Sequence, residues 1–127
     1  MKKLAALFLS VLALLSFSAC KKTEQGSYVS ITPEEAKHLM ESETGYVILD
    51  VRTQEEYDEK HIPNAVLIPD TEIGEKAEEI LTDKNQLILV YCRSGRRSKN
   101  ASTELVSMGY KNIREFGGII DWPYETV

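Results

Sequence analysis

Gln86-Leu87-Ile88-Leu89-Val90-Tyr91-Cys92-Arg93-Ser94-Gly95-Arg96-Arg97-Ser98 is the stretch whose reading decides the fold. Leu87 to Tyr91 is an unbroken apolar run of strand length, as expected of a parallel strand covered on both faces. Ser98 to Met108 follows with helix-like patterning and stops at Gly109. Cys92 therefore stands where a buried strand turns into a helix. Such a turn aims backbone N–H groups and the positive end of a helix dipole at the sulfur. Arg93, Arg96 and Arg97 all lie within five residues of it. These neighbours favour the thiolate, which is the nucleophilic form.

Outward from this stretch, strand-like and helix-like segments alternate. Tyr28 to Ile31 reads as a short strand. Thr32-Pro33-Glu34-Glu35 is a capping box with proline at the first helical position, opening a helix to Glu41 or Ser42. Tyr46 to Val51 is a second apolar run. Thr53-Gln54-Glu55-Glu56 is a second capping box, with its helix reaching about Lys60. Ile62-Pro63-Asn64 reads as a turn and Ala65 to Ile68 as a short strand. Thr71 is placed to cap a helix ending near Leu81. Asn112 to Phe116 is the final strand, and Gly117-Gly118 leads into a helical turn over 119–122. The pattern predicts an α/β fold with about five mostly parallel strands and helices on both faces. Ligands of such sheets bind beyond the carboxyl ends of the strands, where Cys92 lies.

The chain has 127 residues, enough for one domain. Residues 1–19 stand apart from it. Lys2 and Lys3 precede an apolar region of 14 residues, Leu4 to Phe17, and Ser18-Ala19-Cys20 follow. This is the pattern of a secretory signal, and a membrane-spanning helix needs about 20 apolar residues. Phe17-Ser18-Ala19-Cys20 resembles the lipobox of bacterial lipoproteins, although leucine is commoner at the place of Phe17. The resemblance implies cleavage before Cys20, lipidation of Cys20, and an exported protein anchored on the periplasmic or extracellular face of a membrane. The alternative is an ordinary cleaved signal that abuts a cysteine. Residues 20–27 then form the lipidated cysteine and a polar tether, and 28–127 the folded domain. Seven flexible residues, Lys21 to Ser27, reach about 15 Å. Loss of the signal removes Lys2 and Lys3, so 15 basic residues fall to 13 against 20 acidic ones, and the net charge moves from −5 to −7. An acidic body is a poor partner for nucleic acid. The positive charge gathers at Arg93, Arg96, Arg97 and Lys99, a rim suited to a small anion. With Cys20 lipidated, Cys92 has no partner for a disulfide.

Three segments in this order resemble the rhodanese family of sulfurtransferases. Leu49-Asp50-Val51-Arg52-Thr53-Gln54-Glu55-Glu56-Tyr57, continuing to His61-Ile62-Pro63-Asn64-Ala65, is similar to the family's opening motif. Tyr91 to Ser98 is similar to its active-site loop, and Gly117-Gly118-Ile119 through Trp122 to its closing segment. Cysteine phosphatases place an arginine after five residues beyond the cysteine, whereas here that position is Ser98. In the superfamily the shorter loop goes with sulfur transfer and the longer one with phosphatases and arsenate reductases.

The resemblance implies that Cys92 takes the sulfane sulfur of a donor such as thiosulfate, becomes a persulfide, and passes the sulfur to a thiol or cyanide acceptor. Backbone N–H groups of Arg93, Ser94, Gly95, Arg96, Arg97 and Ser98 would stabilise charge on that sulfur. Arg93 would steer an anionic donor, Arg97 would brace the loop against a carboxylate, and Ser98 would cap the helix and also donate to the loop. Asp50 and Arg52 read as a structural ion pair. His61 reads as a structural turn residue and His38 as a surface residue. No His, Cys or carboxylate cluster has metal-ligand spacing, so neither a metal nor another cofactor is expected. Two further functions remain open from the residues alone: a catalytically silent binding or sensing module, and a cysteine phosphatase or arsenate reductase.

Overall fold

The computed structural model describes residues 26–127. The signal segment, Cys20 and the tether as far as Gln25 lie outside the described residues. Five strands form one sheet: β1 (Val29–Ser30), β2 (Val47–Asp50), β3 (Val66–Leu67), β4 (Ile88–Cys92) and β5 (Ile113–Gly118). Their order is β1-β5-β4-β2-β3, and every pairing is parallel. All five residues of the central strand β4 are buried. Both edge strands have only two residues, which limits the unpaired backbone they offer to other chains.

Four α-helices cover the two faces: α1 (Pro33–Ser42), α2 (Gln54–Glu59), α3 (Ile73–Ile80) and α4 (Arg96–Ser107). Ile73, Ala77, Ala101 and Leu105 of α3 and α4 pack with Leu49, Val90 and Ile113. Ala36 of α1 and Tyr57 of α2 lie on the other face with Leu89, Tyr91 and Phe116. The period-two division of each strand thus feeds two cores. Both capping boxes form: Thr32 accepts from the Glu35 N–H and Thr53 from the Glu56 N–H, with each glutamate reaching back. Each cap is worth about 1 kcal/mol.

Two expected helix starts are corrected. Thr71 caps nothing, because residues Asp70–Glu72 form a 3₁₀ turn and α3 begins at Ile73 without a side-chain cap. Helix α4 begins at Arg96 rather than Ser98, and its N-cap is Gly95, at φ +108°. A left-handed cap admits glycine at little cost and takes the place a serine cap would fill.

Helix α2 leaves β2 towards the edge strand β3, while α4 leaves the neighbouring β4 towards β5 on the opposite face. The carboxyl ends of β2 and β4 therefore flank a topological switch point, the usual crevice of an open parallel sheet. Asp50 ends one strand and Cys92 the other.

Candidate active site

Cys92 is the last residue of β4 and is only 1% exposed. The sequence places it at a reactive turn, and the fold sinks it beneath that turn. Arg93, Ser94 and Arg96 are exposed around it, Arg97 is half-buried, and Gly95 and Ser98 are buried. The Gly95 N–H donates to Cys92 Sγ at 3.0 Å. That contact is what the left-handed turn achieves: it points an amide at the sulfur just before α4 begins.

The loop is fixed from three sides. Ile120 N–H donates to the Arg93 carbonyl at 3.3 Å. Gly118 lies so close that a Cβ there would overlap the Arg93 carbonyl and the Ser94 nitrogen. A bulge in β5 makes this approach possible: Val90 pairs with Glu115 but Cys92 pairs with Gly118, so β5 spends one extra residue. Third, Arg97 forms a two-pronged pair with Glu56, Nη1 to Oε1 at 2.7 Å and Nη2 to Oε2 at 2.9 Å. This ties α4 to α2 across the crevice. The Arg97 guanidinium holds the Glu56 carboxyl down at about 2, helped by the Thr53 amide and opposed by partial burial.

Ser98 sits two residues inside α4 and caps nothing. Its Oγ lies 3.3 Å from Cys92 Sγ, 3.0 Å from the Gly95 carbonyl and 2.7 Å from Glu115 Oε1. Glu115 was not anticipated. It is 2% exposed on β5, and its carboxylate also accepts from the Gly117 N–H at 2.8 Å and from Ser30 Oγ at 3.1 Å. The available signal was a lone acid between Ile113 and Phe116, in a strand that should be apolar on both faces.

Asp50 and Arg52 lie at the end of β2 as a buried ion pair. Arg52 donates through Nε at 3.0 and 3.1 Å and through Nη2 at 2.7 Å, and its own N–H reaches Asp50 Oδ1 at 2.9 Å. Tyr91 donates to Asp50 Oδ2 at 2.6 Å and accepts from the Ile62 N–H. Burial and then the bond to Asp50 hold the Tyr91 phenol well above its ordinary range. Arg52 Nη2 also donates to the Lys60 carbonyl, fixing the end of α2. His61 stacks on Tyr57 and pairs backbone to backbone with Val127, and His38 is exposed on α1.

A crevice of about 410 Å³ adjoins the loop. Arg52, Lys60 and Arg93 give its wall positive charge, Glu56 and Glu59 negative charge, and Ile119 and Ile120 its apolar part. Among the described residues no group of three or more His, Cys, Asp or Glu side chains is placed to hold a metal ion.

Residues 32–123 match the Rhodanese-like domain. The chain belongs to the rhodanese-like family. It is 38% identical over 73 residues to thiosulfate sulfurtransferase PspE of Escherichia coli, covering 58% of this chain and 70% of that protein. It is 39% identical over 116 residues to thiosulfate sulfurtransferase 18 of Arabidopsis thaliana, covering 82% of this chain and 84% of that one. Among solved structures, a rhodanese with anions from E. coli is 35% identical with a TM-score of 0.61, covering 65% of this chain and 96% of its own. The rhodanese-like domain is thus a member of a family with sulfurtransferase relatives, and its five parallel strands and flanking helices are that family's fold.

Proposed function

We propose that this protein is a sulfurtransferase that carries sulfur on Cys92 as a persulfide. The thiolate attacks the outer sulfur of a small anionic donor such as thiosulfate. The S–S bond of the donor breaks, sulfite leaves with the bonding pair, and Cys92 keeps the sulfur. A thiol or cyanide then attacks that outer sulfur, and the thiolate returns. Two half-reactions through one covalent intermediate give ping-pong kinetics. The observation that carries this reading is the position of Cys92: at the carboxyl end of the central strand, under a loop that turns an amide onto its sulfur. Arg93, exposed on the loop and lining the crevice, is suited to steer an anion to that place. Names of the relatives support the donor class, since two are thiosulfate sulfurtransferases.

The same proposal includes an exported lipoprotein, anchored through Cys20 and tethered by residues 20–27, which presents this domain outside the cytoplasm near a membrane. Mass spectrometry of the intact native protein tests both parts. Incubation with thiosulfate should add the mass of one sulfur atom to Cys92, removable by cyanide and absent from Cys92→Ser. Reduced Cys92 that gains no sulfur from excess thiosulfate would sink the catalytic reading. An unmodified Cys20 in protein taken from native membranes would sink the anchor.

A further inference from the structure

The crevice beside the loop is larger and chemically more varied than an inorganic dianion or cyanide requires. Its volume of about 410 Å³ falls in the range of about 300–1,000 Å³ typical of sites for organic ligands. Its two acidic residues differ. Both oxygens of Glu56 are bound by Arg97. Glu59, exposed at the last position of α2, forms no ion pair among the described residues. Lys60, the next residue, is likewise an exposed cation without a carboxylate partner among them. The backbone that carries this pair is fixed: the Lys60 N–H donates to the Glu56 carbonyl at 3.3 Å, and buried Arg52 donates to the Lys60 carbonyl at 2.7 Å. Opposite charges on adjacent residues thus stand on one wall. Arg93 and the apolar side chains of Ile119 and Ile120 complete the crevice, with Ile120 62% exposed and its N–H bound to the Arg93 carbonyl.

We propose that this crevice selects the sulfur acceptor, and that the acceptor it fits is a small thiol carrying both an ammonium and a carboxylate group. Glu59 takes the ammonium, Lys60 and Arg93 take the carboxylate, and Ile119 and Ile120 cover the carbon chain. A wholly anionic donor has no use for Glu59, which repels it. An acceptor of amino-acid type uses both signs of charge. The two half-reactions share the cations in turn, because sulfite leaves before the acceptor enters. The acceptor thiol, having lost its proton to water, attacks the outer sulfur of the Cys92 persulfide. A new S–S bond forms on the acceptor, the old one breaks with its electron pair going to Cys92, and the product is the acceptor's persulfide. Glu59 and Lys60 are specificity-determining residues in this scheme and touch no reacting atom.

The inference rests on the proposed sulfur transfer through Cys92, and two measurements let them fail separately. In the first, full-length protein is loaded with thiosulfate, freed of it, and mixed with L-cysteine, cysteamine, N-acetyl-L-cysteine or 2-mercaptoethanol. Loss of the added sulfur mass from Cys92 gives a rate constant for each thiol. These thiols differ in intrinsic reactivity, so each variant is compared with the native protein one acceptor at a time. Glu59→Gln should slow transfer to cysteine and cysteamine about three- to fivefold and should not slow N-acetylcysteine or mercaptoethanol. Lys60→Met should slow cysteine and N-acetylcysteine by a similar factor and should not slow cysteamine or mercaptoethanol. No change, or an equal change for all four thiols, overturns the inference. The second measurement needs no persulfide. S-methyl-L-cysteine, which cannot accept sulfur, is titrated into the Cys92→Ser protein, and amide NMR shifts are followed at Glu59, Lys60 and Ile120. Saturable shifts that weaken in the added presence of Glu59→Gln support the seat, and their absence overturns it. Saturable shifts in a protein whose Cys92 never loads would sink the transfer reaction and leave the seat standing.

Discussion

Asp50 and Glu115 are both buried carboxylates at the working end of the sheet, and their surroundings differ in one respect. Asp50 meets a guanidinium and a phenol, and every lone pair is answered by a strong donor. Glu115 meets a serine, a second serine and one amide. The first arrangement cancels the charge and locks the start of the chain that leads into α2. The second leaves the carboxyl group held only by neutral partners, one of which, Ser98, also touches the Cys92 sulfur. A buried ion pair in a closed cluster serves geometry, whereas a buried carboxylate without a cation depends on neutral donors alone for its place.

The comparison is broken most directly at Arg52. Arg52→Met leaves Asp50 buried without its cation and should cost about 3–5 kcal/mol in urea unfolding. Glu115→Gln should cost only about 1 kcal/mol, since it removes a charge with no cation to orphan. Equal costs would mean that both carboxylates are structural. At Gly118 the expected effect falls on activity. A Cβ there must displace the Arg93 carbonyl, so Gly118→Ala should slow sulfur loading of Cys92 about 10²-fold, as a misplaced nucleophile loop would. Its far-UV circular dichroism should stay unchanged. A variant that loads sulfur at the native rate would show that the approach of β5 does not set the loop.

The smallest effect belongs to the Arg97–Glu56 brace. The folded carboxyl sits at about 2 against an ordinary 4.5, so its contribution is present above pH 4.5 and is lost as pH falls towards 2. Solvent screening reduces it to about 1 kcal/mol. The melting temperatures of the native protein and Glu56→Gln should therefore differ near pH 7 and converge by about pH 2. A gap that persists in acid would assign the brace to packing rather than charge.

Much of this was legible in the chain. Both capping boxes are local, because Thr32 and Thr53 answer amides only three residues away. The apolar run before Cys92 announced a covered central strand, and three ordered segments announced the family. The Asp50–Arg52 pair was legible because its partners are two residues apart. Glu115 and Ser98 are 17 residues apart in sequence and on different elements, so no spacing rule joins them. Glu56 was legible as a cap but not as the partner of Arg97, 41 residues away. Misplaced helix starts have a related cause. Gly95 adopts a left-handed conformation only because the loop must turn its amide onto the sulfur.

The sequence by itself determined the order of strands and helices and the place of Cys92 at a strand-to-helix turn, since periodicity, caps and turns are short-range properties of the backbone and solvent. Only the tertiary structure decided which groups surround that cysteine. The β5 bulge carries Glu115 to Ser98 and Gly118 to the loop. A hydrogen bond's direction depends on every acceptor within about 3 Å, and that set exists only once distant strands are packed together.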